Sequence, residues 1–431
     1  MSIFAAFALL ACKQPLEAPE DLVLGPAFDG GYWLIGWRAP RPGLLRAGIT
    51  WSAPTTLAET AAAAAAVLGL SLIAVAGAPA YAGGHSDDDV VTVATGLDNP
   101  RQLSLGRGGS LYIAEAGVAD ACAAIPGVDP AFQVCGLTGA VTEVRRPDHR
   151  RAEQRQVVTG LPTMTFNGEV VGASDVAVRG RRIEVLIGGM TGAATARADL
   201  PDEYAAFGTL RSARLGWAPL TGADLSLVAD INAFEVASNP DGNVPPDSNA
   251  TGFVSLGDGR WAVTDAGGNA LLRVGRGGER AVAVFPDGDP VPNPFGPGEV
   301  SPQAVPTDVA VGPDGAYYVS QLTGFPFPTG GSTIWRVTRD GQVSAYATGL
   351  TMVTSLAWKG DTLYAVQLDD ENFFDGHVGS LRAVTPGGSV HEAVVDGLSA
   401  PYGLAIRGHS AYLTIDSVSP GEGSAIRVDL R

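Results

Sequence analysis

The chain is poor in the groups on which several broad functions depend. Lysine occurs only at Lys13 and Lys359, and Lys and Arg together number 28 against 45 Asp and Glu, for a net charge of −17. That balance argues against nucleic acid as a partner, because binding a phosphate backbone needs a basic surface. Charged residues are 17% of the 431 and hydrophobic ones 45%, which excludes general disorder and leaves material for a large core. The five histidines (His85, His149, His377, His391 and His409) are isolated in sequence, so a zinc hydrolase has little support. Neither a Gly-x-Ser-x-Gly elbow nor a phosphate-binding glycine loop occurs. Cysteine is rarer still, at Cys12, Cys122 and Cys135.

Glycine (57) and proline (30) are plentiful, about a fifth of the chain, without a collagen period. They read as turn punctuation among many short strands. Residues 1–89 differ from the rest. Ala61–Ala82 is uncharged, apolar and ends in Ala80-Tyr81-Ala82, the pattern of a signal-peptide core with a small-x-small cleavage site. Cleavage is expected after Ala82, with export to the cell envelope or beyond. The rival is an uncleaved membrane anchor. The upstream part, including a chance lipoprotein-like Leu9-Leu10-Ala11-Cys12, is not expected in the mature protein. Residues 1–82 hold five acidic and four basic groups, so the mature chain carries −16. Losing Cys12 leaves Cys122 and Cys135, thirteen positions apart. An oxidising compartment lets such a pair close a loop; the alternative is two free thiols.

From Val90 onward the chain repeats. Six cores align without gaps: Gln102–Leu105, Asp175–Val178, Gly252–Ser255, Asp308–Val311, Ser355–Trp358 and Gly403–Ile406. Each alternates bulky with small residues, as strands packed near an axis must. Their spacing of about 45 to 77 residues, with Gly-rich turns between, predicts an all-β fold, a six-bladed β-propeller over residues 90–431. The last unit lacks an outer strand, and Val90–Thr95 is such a strand without a unit. The N-terminal strand is therefore expected to pair with the C-terminal blade beside Ala425–Leu430 and close the ring.

The run Asp265-Ala266-Gly267-Gly268-Asn269-Ala270-Leu271-Leu272-Arg273-Val274 resembles an NHL repeat. Segments spread over residues 90–431 resemble the ScyD/ScyE family of exported propeller proteins. They include Thr95–Arg101, Tyr112–Gly117, Cys135–Thr142, Ala233–Glu235, Asn239–Gly242, Asp247–Asn249 and Leu322–Pro328. The resemblance implies a six-bladed propeller and export, and it brings no catalytic residues with it. One departure is Asn249-Ala250-Thr251-Gly252, where the family has Asn-Pro-aromatic-Gly.

Propellers take ligands at the mouth of the central channel. The alignment predicts two circles of residues there. One is Gln102, Asp175, Gly252, Asp308, Ser355 and Gly403; the other is Arg101, Ser174, Thr251, Thr307, Thr354 and Tyr402. Asp175 and Asp308 are candidate ligands for a hard cation, calcium, joined by Glu115 or Asp265 at the end of a second strand. Competing roles are bonds to neighbouring backbone for the circles and turn fastening for Glu115 and Asp265. Phe325-Pro326-Phe327-Pro328 is a stiff loop able to offer rings to a planar ligand. The acidic loop Asp369–Asp375 lacks EF-hand spacing. Two functions follow. The first is an exported, monomeric propeller that binds a small molecule or an envelope protein. The second is a calcium-dependent hydrolase, a lactonase or strictosidine-synthase-like enzyme, in which the cation polarises a carbonyl; it rests on fold analogy.

Overall fold

Strands alternate with glycine turns along most of the chain. The computed structural model describes residues 22–26, 32–37, 90–125, 131–149, 152–192, 194–371 and 377–430. Two units are distinguished, Met1–Tyr81 and Ala82–Arg431. In the first, Leu22–Pro26 pairs antiparallel with Tyr32–Trp37. The signal-peptide core, the cleavage site after Ala82 and Cys12 lie outside the described residues. None of the described helices is long and apolar enough to cross a membrane.

The second unit is all-β and propeller-like. Its main sheets follow one another in sequence, and in most of them the order from the inner strand outward is the order of the chain. Their inner strands are Pro100–Leu105, Ala173–Arg179, Ala250–Gly257, Pro306–Val311, Val353–Lys359 and Leu404–Arg407. All the aligned cores fall on these strands, with Gly403 one residue ahead of the last. Each inner strand lies against the next, and Leu404–Arg407 lies against Pro100–Leu105. Val90–Leu97 pairs antiparallel with Gly423–Asp429, with Val90 opposite Val428 and Thr92 opposite Ile426.

The core is divided among the gaps between successive sheets, because the second strands are buried on both faces. In Thr362–Gln367, Leu363 and Ala365 pack with Tyr318, Ile334 and Leu350 of the preceding sheet. The alternate residues Tyr364 and Val366 pack with Leu404, Leu413 and Ile426 of the following one. That is the two-residue period of a strand buried on both sides. Val93, Leu97 and Tyr412 meet Leu103, Leu111 and Ile113 in the same way. Each such large buried side chain contributes about 1.5–3 kcal/mol.

Two larger insertions interrupt the pattern, besides a short pair of Val291–Pro292 and Glu299–Val300. One is a small sheet of Ala123–Ala124, Phe132–Val134, Met164–Phe166 and Glu169–Val171. The other is an α-helix, Ile231–Ser238, capped by Asp230, whose side chain accepts from Ala233 N at 2.9 Å. The small sheet carries the disulfide Cys122–Cys135, so these cysteines are paired. Closing a loop of that length restricts the unfolded chain, an effect worth about 3 kcal/mol. A Cys122→Ser/Cys135→Ser variant is therefore expected to lower the urea midpoint by that equivalent. An unchanged midpoint would show that the bond holds only a locally frayed insertion.

Candidate functional site

The inner strands begin at one end of their sheets, and there most sheets are tied to the next by a hydroxyl. Ser174 Oγ donates to Ala250 O at 2.9 Å, Thr251 Oγ1 to Pro306 O at 3.1 Å, Thr307 Oγ1 to Val353 O at 2.6 Å and Thr354 Oγ1 to Tyr402 O at 2.7 Å. Tyr402 occupies the equivalent place in the last sheet. There Thr414 takes over, donating to Arg101 O at 2.9 Å. Arg101 continues the circuit by donating through Nη2 to Val170 O at 2.7 Å and through Nη1 to Ser417 O. The side-chain polar atoms of Arg101, Ser174, Thr251, Thr307 and Thr354 thus bind the backbone of a neighbour, whereas Tyr402 takes part through its backbone O. Thr264, Ser320 and Thr414, on the second strands, were not anticipated. Their hydroxyls accept from Gly252 N at 3.0 Å, Asp308 N at 2.9 Å and Gly403 N at 2.7 Å.

The other circle holds the carboxylates. Asp175 accepts from Val176 N at 2.6 Å and, from the next sheet, Phe253 N at 2.8 Å. Asp308 repeats this with Val309 N at 2.7 Å and Leu356 N at 2.9 Å. Burial pushes both carboxyls upward in pKa, against these N–H bonds; for Asp175 the shift is large and the charge of Asp308 adds to it. Ser355 Oγ stands 3.0 Å from Asp308 Oδ2 and 2.8 Å from Gln102 Oε1, while Gln102 Nε2 donates to Thr354 O at 2.8 Å. Gly252 and Gly403 are glycine because the next inner strand passes too close for a side chain. A Cβ at 252 would lie 2.7 Å from Thr307 O, and one at 403 would lie 2.6 Å from Arg101 O.

Glu115 and Asp265 are buried but have other surroundings. Glu115 accepts from Asp98 N at 2.8 Å and Thr142 Oγ1 at 2.5 Å. Asp265 accepts from Asn249 N at 2.6 Å, Ser248 Oγ at 2.8 Å and Gly268 N at 3.2 Å. Gln367, at the same recurring position, accepts from Thr351 N at 2.8 Å. The position clamps the segment leading into its own inner strand, and in Asp265 also the turn that follows. The acidic neighbour that acts on Glu115 is Asp98, and the one that acts on Asp265 is Asp247. Among the described residues no three His, Cys, Asp or Glu side chains form a group able to hold a metal ion.

Loops at this end make a mixed surface. Met352, Leu368 and Ala400 pack with Leu322, Phe327, Tyr402 and Val418, which brings part of the Phe325–Pro328 loop to the mouth. Phe325 stacks on Phe295 at 5.8 Å. The guanidinium of Arg101 lies over the Tyr402 ring at 5.1 Å. Glu169, supplied by the small sheet, is close enough for Arg101 and His377 to lower its pKa, although burial raises it overall. Nothing in the sequence marks Glu169, because the insertion that carries it reaches the mouth only through tertiary packing. Of the acidic loop, Asp369 is buried and 3.5 Å from His377, whereas residues 372–376 lie outside the described part.

Known proteins add the following. The family described as "Uncharacterized protein conserved in bacteria (DUF2064)" matches residues 4–53. No curated protein matches. Similar solved structures include a glucose dehydrogenase (13% identity, 79% of this chain and 99% of that one, TM-score 0.46). Another is a virginiamycin B lyase from Staphylococcus aureus (11%, 79% and 99%, TM-score 0.38). A third is the WD40 β-propeller domain of Doa1 (10%, 78% and 96%, TM-score 0.39). Likenesses of this degree assign no role to the chain.

Proposed function

We propose that residues 90–431 form a closed six-bladed propeller of the ScyD/ScyE type, exported, which binds a small planar molecule at its channel mouth and does not transform it. Blade number and closure are supported by the cyclic contact of inner strands and by the hydroxyl ties that run from sheet to sheet and return to Arg101. Export is supported by the Cys122–Cys135 bond, which an oxidising compartment preserves.

One observation carries the preference for binding over hydrolysis: Asp175 and Asp308 each accept one backbone N–H from their own strand and one from the adjoining sheet. Both groups are buried at the junctions between sheets, where they hold strands together, whereas a metal ligand or a general base must face the substrate. Beside them the exposed ring of Phe325 stacks on Phe295 and the half-buried ring of Phe327 covers the buried Met352 and Leu368, an apolar surface that suits a flat apolar molecule.

Titration calorimetry with indole-3-acetate and a panel of planar aromatic carboxylates tests this. Binding is expected for at least one probe, weakened tenfold or more in Phe327→Ala, which removes a ring without touching the hydroxyl ties. Turnover of simple lactones that disappears in Asp175→Ala would overturn the reading in favour of the calcium-dependent hydrolase.

A further inference from the structure

The helix Ile231–Ser238 and the loop after it bring an unusual density of oxygen atoms against the turn Ala266–Asn269. Glu235 is fully buried, and neither of its carboxylate oxygens has a hydrogen-bond partner. Asn239, one helical turn further on, also buries its side-chain oxygen without a partner, while its amide donates to Asn243 O at 2.8 Å. Asn239 is the C-cap of the helix, and its backbone N donates to Glu235 O at 2.7 Å, which keeps the two residues adjacent. The charges of Asp265, Asp241 and Asp247 all act on Glu235. The turn is glycine where these groups approach. A Cβ on Gly268 would stand 2.6 Å from Glu235 Oε2 and 3.4 Å from Asp265 Cγ, and one on Gly267 would stand 2.6 Å from Asp247 Oδ1.

All the unmatched atoms are acceptors, and the neighbours add negative charge. A buried carboxylate with no hydrogen bond is costly unless a positive partner is present. The donors that serve the other acids are already engaged: Asn243 and Asn269 amides on Asp241, Gly192 N on Asp247, Ser248 and Asn249 on Asp265. We propose that this pocket is a site for a hard divalent cation of calcium's size, with both oxygens of Glu235 and Oδ1 of Asn239 as ligands. Asp247 and the acidic turn supply balancing charge. Calcium takes several oxygens, amides and waters among them, in flexible geometry, so three converging carboxylates are not required. Magnesium demands a stricter octahedron and dehydrates reluctantly, so it binds less well. Once filled, the site ties the helical insertion to the third sheet at the end where the inner strands begin.

The full chain, freed of metal with chelator, is titrated with calcium chloride by calorimetry and by melting temperature. One calcium per chain and a rise of several degrees are expected, with magnesium weaker. Glu235→Gln, which keeps shape and removes charge, is expected to lower calcium affinity at least tenfold. Asn239→Gly, which keeps the left-handed backbone at this position (φ 38°), is expected to weaken it severalfold and serves as the second variant if the first folds poorly. A melting temperature indifferent to calcium, or a calcium response undiminished in both variants, would overturn the proposal. In that outcome a proton on Glu235 is the positive partner, and Glu235→Gln would stabilise the protein above neutral pH.

Discussion

Replacing Gly403 with alanine is expected to destabilise the protein by on the order of 3 kcal/mol or more, the cost of forcing atoms into a packed interior. The new Cβ would lie 2.6 Å from Arg101 O, 2.9 Å from Gln102 Cα and 3.1 Å from Leu103 N. All of these are backbone atoms of the neighbouring inner strand, so no side chain can swing aside to relieve the overlap. The strand itself cannot retreat cheaply, since Thr414 Oγ1 holds Arg101 O at 2.9 Å and Leu103 is packed in the apolar layer between the same sheets. Gly403 does not occupy the left-handed region, so alanine meets no backbone strain and the whole effect is contact. Gly216 provides the control. It too lies outside that region, and its Cβ would come no nearer than 3.9 Å to any atom, so Gly216→Ala should stay within about 0.5 kcal/mol. Gly252→Ala, facing Thr307 O at 2.7 Å, should resemble Gly403→Ala. The comparison is read from urea midpoints. Equal midpoints for Gly403→Ala and Gly216→Ala would mean that the last inner strand does not lie against the first, and the closed ring would have to be abandoned.

The parts of the fold that were legible are those whose signal is local. The inner strands show themselves because each places a polar or glycine opening before alternating apolar residues and then a Gly-rich turn. This follows from a strand buried on both faces beginning at a crowded rim. Val90–Leu97 could be assigned to the far end of the chain because it had no unit of its own. The hydroxyls of Thr264, Ser320 and Thr414 were not legible in this way. Each follows its inner-strand opening by about a dozen residues, on a second strand where a hydroxyl among apolar residues gives no local sign of the backbone it will meet. Glu169 and Glu235 were hidden for a different reason. Both sit on insertions with no counterpart in the other units, and an unrepeated segment carries no register from which its approach can be deduced. Asp175, Asp308, Ser174, Thr251, Thr307 and Thr354 stand at or near the openings of their inner strands. What the alignment could not tell was where their polar atoms point, which is set by sheet-to-sheet spacing.

Stability is expected to fall as pH rises from about 4.5 to 7.5, and the raised carboxyl of Asp308 is expected to contribute. The hydrogen count at that site is the starting point. Ser355 has one hydroxyl proton and two acceptors, Gln102 Oε1 and Asp308 Oδ2. A proton on Asp308 Oδ2 lets it donate to Ser355 while Ser355 donates to Gln102, and Leu356 N still has its acceptor. Burial acts in the same direction, raising Asp308 and, with the added repulsion from Asp308, raising Asp175 well above the ordinary aspartate range. A carboxyl whose folded pKa exceeds its unfolded value of about 4 favours folding fully below that value, and the contribution is lost as pH rises through the folded pKa. Burial also lifts Asp265 and Asp247 to about 6 and Glu235 to about 8, which carries the window to neutrality. Glu143 and Asp314, held low by Arg155 and Arg336 respectively, act oppositely and set the acid limit. Asp308→Ala leaves Val309 N and Leu356 N without their acceptor, a loss on the order of 3 kcal/mol for buried groups. It also removes the charge opposite Asp175, so the variant should be less stable throughout and should lose less stability between pH 4.5 and 7.5. Chemical denaturation in chelator at those pH values, with cations thereby held constant, measures both effects. A wild-type stability that increases over this range, or an Asp308→Ala profile parallel to it, would show that the pair is ionised in the folded protein.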